Sequence, residues 1–193
     1  MLWNDLLNEW VVASYIAGTA LRLRSLAHVM LLISNGRGQM TLTSLLDEKT
    51  TLTGLVVSSK TDLLNRMVDL LESKVSGDQL ETIRSAVLQR EEIMSTGVGK
   101  GLAIPHGKAP GLEESYASFA LLKEPVDFDS IDREPVRIVF MLVGPESKNS
   151  VHIKLLSRIS RLMNNDSFRN RLLECTSPTE VLAHFDADEQ LHL

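Results

Sequence analysis

The chain has 193 residues, 44% of them hydrophobic and 23% charged, and a formal charge of −5 at pH 7. Its basic residues are spread along the chain without a long run, which gives specific nucleic-acid binding little support and points to protein partners. One cysteine, Cys175, excludes an intrachain disulfide and a CxxC zinc site.

A reducing cytoplasm is the expected location. The five histidines, His28, His106, His152, His184 and His192, show no metal-ligand spacing, so no metal and no cofactor are expected. Length and composition suit one globular domain of about 150 residues plus an extension.

The extension comes first. Leu2, Trp3, Leu6, Leu7, Trp10 and Val11 form an amphipathic helical stripe, followed by an apolar stretch from Tyr15 to Ile33 that Arg22, Arg24 and His28 interrupt. Those charges argue against a membrane span, which needs about 20 apolar residues. Asp5 and Glu9 precede any basic residue, which argues against a secretory signal. Three readings stand for residues 1–39. They form a helix docking on the rest of the chain or on a second copy, a weak membrane-surface helix, or an upstream translation outside the native product. Asn35-Gly36-Arg37-Gly38 then reads as a turn-rich linker.

Ser59 or Thr61 caps an expected helix through about Lys74, with Leu63, Leu64, Met67, Val68, Leu70 and Leu71 at helical spacing. Gly77 marks a break. A second helix runs from Asp78 to about Gln89 and delivers Arg90 to the segment that follows.

That segment, Ser95 to Lys108, surrounds His106 with Gly97, Gly99, Gly101, Pro105 and Gly107. Glycine is expected where a backbone takes positive φ or approaches a bulky ligand, so a loop carrying a reactive imidazole is the functional reading. A Gly-rich turn with an ordinary surface histidine is the plain alternative. A P-loop is excluded, because Gly99-Lys100 is followed by Gly101 and Gly107-Lys108 by Ala109, where Ser or Thr is required. A dinucleotide fingerprint fails too, since Pro105 stands where a helix would have begun.

Short apolar strands are expected at residues 101–104, 117–122 and 137–143, the run Val139 to Val143 suiting a strand covered on both faces. Pro125, Asp127, Asp129, Asp132 and Pro135 mark a turn-rich connection of solvated acidic groups. A helix from about Ser150 to Asn164 carries Val151, Leu155, Ile159 and Leu162 on one stripe and His152 in its first turn. Asp166 and Pro178 open two more short helices, the first leading to Cys175. The whole reads as an α/β (α+β) fold, a central mixed β-sheet flanked by helices.

From about Met40 to about Phe185 the chain resembles the enzyme IIA proteins of the bacterial phosphotransferase system, in the fructose/mannitol and nitrogen-regulatory class. The resemblance rests on Thr96-Gly97-Val98-Gly99 and Ala103-Ile104-Pro105-His106-Gly107. Arg90-Glu91-Glu92, Phe128-Asp129-Ser130-Ile131-Asp132 and Val151-His152-Ile153 extend it. It implies the family's α/β fold over residues 40–188, leaving 189–193 as a tail, and Met40 stands where the family domain begins.

The resemblance also implies a phosphoryl carrier. His106 would accept the group from a histidine-containing phosphocarrier protein and pass it to a downstream IIB-type domain or a regulated target protein. His152 corresponds to the second active-site histidine and Arg90 to the motif arginine. Thr96, Gly97, Gly99, Gly101 and Gly107 form the accompanying phosphate-binding loop. The absence of attached permease or transfer domains favours the nitrogen-type regulatory branch over a sugar-specific component. A non-catalytic interaction module on the same fold is the alternative of a different class, and the presence of His106, Arg90 and His152 counts against it.

Overall fold

The computed structural model describes residues 41–190. Residues 1–40 and 191–193, and with them the three readings of the extension, lie outside the described residues.

Strands β1 (Thr51–Leu55), β2 (Gly97–Gly99), β3 (Leu102–Ala103), β4 (His106–Ala109), β5 (Tyr116–Val126) and β6 (Val136–Pro145) form one mixed sheet. Its order is β1-β5-β6-β3-β2, and β4 also pairs with β6. The β5–β6 and β2–β3 pairs are antiparallel, and the others parallel. Leu102 faces Ile138 and His106 faces Leu142, so β3 and β4 keep one register along β6 and form a single strand interrupted at Ile104-Pro105.

Helices α1 (Lys60–Asp69) and α2 (Gly77–Ile93) cover one face, and α3 (Asn149–Met163), α4 (Asp166–Glu174) and α5 (Pro178–Gln190) the other. The period-2 alternation of β6 serves both faces. Val139, Met141 and Val143 pack with Leu63, Met67 and Val87, while Ile138, Phe140 and Leu142 pack with Leu155, Ile159 and Phe185. The apolar run Val139 to Val143 is therefore the doubly covered strand that the sequence indicated.

Local sequence sets the helix starts. Ser59 accepts from the Asp62 amide, and Ser76 and Gln79 make a reciprocal capping box. Gly77 is thus the first residue of α2 rather than a break. That helix continues past Gln89 to Ile93, so Arg90 lies in its last turn. Helix α1 ends earlier than its apolar spacing suggests, at Asp69, with Leu70 as its C-cap.

The last helix runs to Gln190, beyond the boundary expected at 188. Its buried Glu189 accepts from the amides of Leu42 and Thr43 at 2.7 and 2.9 Å. Glu189 therefore belongs to the fold and ties its two ends together.

Candidate functional site

The expected loop around His106 is instead part of the sheet. His106 is the first residue of β4, a strand that pairs with β6 and packs against α2. Pro105 does not break the ladder, because its carbonyl accepts from the Leu142 amide at 2.9 Å and proline needs no partner for an N–H it lacks. Gly107 lets this strand approach α2. A Cβ there would stand 3.2 Å from the Ala86 carbonyl carbon and 3.2 Å from the Val87 amide nitrogen.

The half-buried imidazole of His106 donates from Nδ1 to the carbonyl oxygen of Ile104 at 2.8 Å. A carbonyl only accepts, so the proton of the neutral ring sits on Nδ1 and Nε2 keeps its lone pair. Desolvation and, beyond it, the charge of Arg90 push the His106 pKa below the ordinary histidine value, although the Ile104 carbonyl acts in the opposite direction. At neutral pH the ring is a nucleophile.

His152 lies in the first turn of α3, with its ring centroid 6.1 Å from that of His106. It is 4% exposed, and burial together with the neighbouring His106 and Lys108 lowers its pKa to about 4. Its Nδ1 is sealed without a hydrogen-bond partner against Gly144, where a Cβ would stand 3.0 Å away. Nε2 is the nitrogen left to serve the site. Gly144, outside the strand expected at 137–143, lies within β6 and makes the space that His152 fills.

Arg90 is half-buried and anchors one guanidinium nitrogen on the Met94 carbonyl at 2.9 Å. Thr96 is buried beside the site. Its amide donates to the Glu91 carboxylate at 3.0 Å, its hydroxyl donates to the same group, and its carbonyl accepts from the Ile104 amide at 3.0 Å.

The remaining glycines do not gather round the imidazole. Gly97 presses on Ser130, whose Cα would lie 2.9 Å from an added Cβ. Gly99 and Gly101 flank Lys100 in the β2–β3 turn, where all three residues have positive φ. That turn precedes Leu102, four residues and roughly 13 Å of strand from His106. The Lys100 amide is engaged by Asp132 at 2.7 Å and the Gly97 amide by Ser95 Oγ at 3.2 Å. Gly97 and Gly99 form β2, and Gly101 closes the turn into β3, so these glycines build a hairpin.

Two residues that were not among the expected site residues, Glu91 and Lys60, form an ion pair. Glu91 is buried, and Lys60 pairs with it at 2.9 Å from the start of α1. Ile93, Met94, Val98, Ile131 and Ile153 are large hydrophobic side chains left exposed on the described surface. Cys175 caps α4 and has its thiol pKa raised by burial, which makes it a poor nucleophile. Among the described residues no group of three or more His, Cys, Asp or Glu is arranged to hold a metal ion, and no helix is long and apolar enough to cross a membrane.

Residues 44–187 match the family model for the phosphoenolpyruvate-dependent sugar phosphotransferase system, EIIA 2. The chain belongs to this EIIA family. It is 38% identical over 133 residues to a nitrogen regulatory protein of Bradyrhizobium diazoefficiens, covering 69% of this chain and 86% of that protein. A fructose-specific EIIABC component of Bacillus subtilis is 32% identical over 143 residues, which are 74% of this chain but 22% of that protein. Among solved structures, the nitrogen regulatory protein IIA-Ntr from Neisseria meningitidis superposes with a TM-score of 0.68 at 32% identity, over 75% of this chain and 98% of that one. The IIA mannitol structure from Escherichia coli, at 21% identity and TM-score 0.61 over 72% of this chain and 98% of that one, shares the fold. The EIIA family consists of phosphotransfer components, and the mixed sheet flanked by helices is its architecture.

Proposed function

We propose that this EIIA protein carries a phosphoryl group on Nε2 of His106, received from a histidine-containing phosphocarrier protein and passed to a downstream partner. The observation that supports the reading is the His106–Ile104 hydrogen bond, which fixes the tautomer and leaves the lone pair on Nε2 of a ring that lies beside His152.

In the transfer, the Nε2 lone pair attacks phosphorus while the P–N bond to the donor imidazole breaks, and the electron pair returns to the donor nitrogen. One P–N bond replaces another and no proton moves. The His106 ring gains positive character as the bond forms, so its Nδ1–H bond to Ile104 strengthens on the way to the transition state. His152, neutral at physiological pH, donates from Nε2 to a phosphoryl oxygen. Arg90 offers its remaining guanidinium donors to the same dianion. The exposed apolar side chains receive the partner proteins, with the two reacting histidines face to face.

The nitrogen-regulatory branch is the favoured assignment, supported by relatives such as the Bradyrhizobium and Neisseria proteins that match over most of their own length. A sugar-specific role is the second reading, supported by the fructose-specific relative and by a solved complex of IIA mannitol with phosphorylated IIB. Either branch sets the protein in the cytoplasm. The test is intact-mass spectrometry at alkaline pH after incubation with phosphoenolpyruvate, enzyme I and the phosphocarrier protein. One added phosphoryl group that disappears in His106→Ala supports the relay. No added group, with the donor proteins active on a control carrier, would replace it with an interaction module. Passage of the group onward to a fructose-type IIB domain would favour the sugar branch.

A further inference from the structure

The hydrogen bond that orients His106 is the last of a series that begins on another helix. Lys60 Nζ lies 2.9 Å from Glu91 Oε1. The Glu91 carboxylate holds the Thr96 amide at 3.0 Å and the Thr96 hydroxyl. The Thr96 carbonyl holds the Ile104 amide at 3.0 Å, and the Ile104 carbonyl holds His106 Nδ1 at 2.8 Å. Each link fixes the residue that makes the next.

The series starts from a side chain that is expensive to bury. The Glu91 carboxylate is 6% exposed, and a carboxylate so enclosed needs a cation or it protonates or leaves. Lys60 is itself fixed, by Asp129 at 3.1 Å, by Ser95 Oγ at 3.4 Å and by the face of Phe128 at 4.7 Å. Ser95 Oγ in turn donates to the Phe128 carbonyl at 2.8 Å. The cluster therefore joins α1, the end of α2, the start of β2 and the β5–β6 connection, all behind the reactive ring. Glu91 is also adjacent in sequence to Arg90, so the same anchor sets where α2 presents its guanidinium.

We propose that the Lys60–Glu91 ion pair is a positioning device for the nucleophile, holding Thr96 and through it Ile104 so that His106 keeps its proton on Nδ1 and its lone pair on Nε2. Neither residue touches the phosphoryl group. The inference rests on the carrier reading for its kinetic consequence, but the tautomer of His106 can be read without any phosphoryl transfer.

The experiment uses the full-length protein labelled with 15N, wild type beside Glu91→Gln, Lys60→Met and Lys60→Arg, with folding checked by circular dichroism. In the wild type the ring nitrogen shifts of His106 should show a single tautomer protonated on Nδ1. In Glu91→Gln and Lys60→Met they should move toward a mixture, while Lys60→Arg keeps the wild-type pattern. With the phosphocarrier protein as donor, the first two variants should lose about tenfold in phosphorylation rate at saturating donor, the size expected when a supporting shell is broken, with the half-saturating donor concentration unchanged. Wild-type shifts in folded Lys60→Met would overturn the proposal, as would Lys60→Arg failing as badly as Lys60→Met. If Glu91→Gln does not fold, the two Lys60 variants decide alone. A wild type that shows the single tautomer but accepts no phosphoryl group would leave the positioning device standing and remove the carrier reading instead.

Discussion

His106 donates from Nδ1 to the carbonyl of Ile104, 2.8 Å away across the single residue Pro105. Because that nitrogen is committed, only Nε2 can form a bond to phosphorus. Phosphorylated protein should therefore show the phosphoryl group on Nε2, read from the 15N shifts and the phosphorus coupling of the modified ring. A group found on Nδ1 would mean that the Ile104 bond opens during transfer, and the mechanism above would fail.

Arg90 acts on His106 by charge and, in the proposed transfer, by geometry, and the two can be separated. Its cation disfavours a second positive charge on the imidazole, so Arg90→Ala should raise the His106 pKa in an NMR titration. Arg90→Lys keeps the charge and should leave the pKa near its wild-type position. Both variants lose the planar fork, and each should slow phosphoryl acceptance, by about a hundredfold for the alanine variant. A lysine variant with the wild-type rate would show that charge alone is needed.

Gly144 is the floor under His152. A methyl group there would stand 3.0 Å from His152 Nδ1 and 3.1 Å from Ser115 Oγ, in a strand with no freedom to shift. Gly144→Ala should cost about 1–3 kcal/mol in denaturant unfolding and push the second imidazole out of place, so that transfer slows. An unchanged rate would separate His152 from the chemistry.

Acid should destabilise the fold through His152. Its folded pKa of about 4 lies below the ordinary value of 6.5, so the folded state stays unprotonated where the unfolded chain binds a proton. The stability contributed by this group is complete above about pH 6.5, falls as the pH drops through the window down to about 4, and loses nothing more below it. Between pH 7 and 5 the loss should be on the order of 2 kcal/mol, with His106 adding in the same direction. His152→Gln should flatten the profile over that window. A parallel profile would mean that other groups govern the acid limb.

Much of the fold was legible because the elements advertise themselves. The apolar run of β6, the helical stripe of Leu155 and Ile159, and the cap at Ser59 are local patterns that packing reinforces. The short strand β2, Gly97-Val98-Gly99, has little strand propensity of its own and exists because it pairs with β3. Pro105 looked like a chain breaker beside a loop histidine, and only the ladder on β6 shows it accommodated within a strand.

The site divides in the same way. His106, His152 and Arg90 stand in recognisable segments, and the structure brings the two rings together. Glu91 enters the sequence reading only as Arg90's neighbour in the segment Arg90-Glu91-Glu92. Its importance comes from Lys60, a residue 31 positions earlier, and no periodicity records a pairing of that kind. Gly99 and Gly101 share a motif with the histidine but serve the backbone of a turn, so proximity in sequence overstated proximity in space.

The common register of β3 and β4 along β6 mounts the reactive ring on a strand of the sheet instead of on a swinging arm. Its main chain cannot travel toward a partner without breaking the β4–β6 ladder. In each exchange, donor and acceptor must bring their own reactive atoms to a stationary imidazole. Any selectivity between them is then decided by which proteins can fit their surfaces to a fixed template.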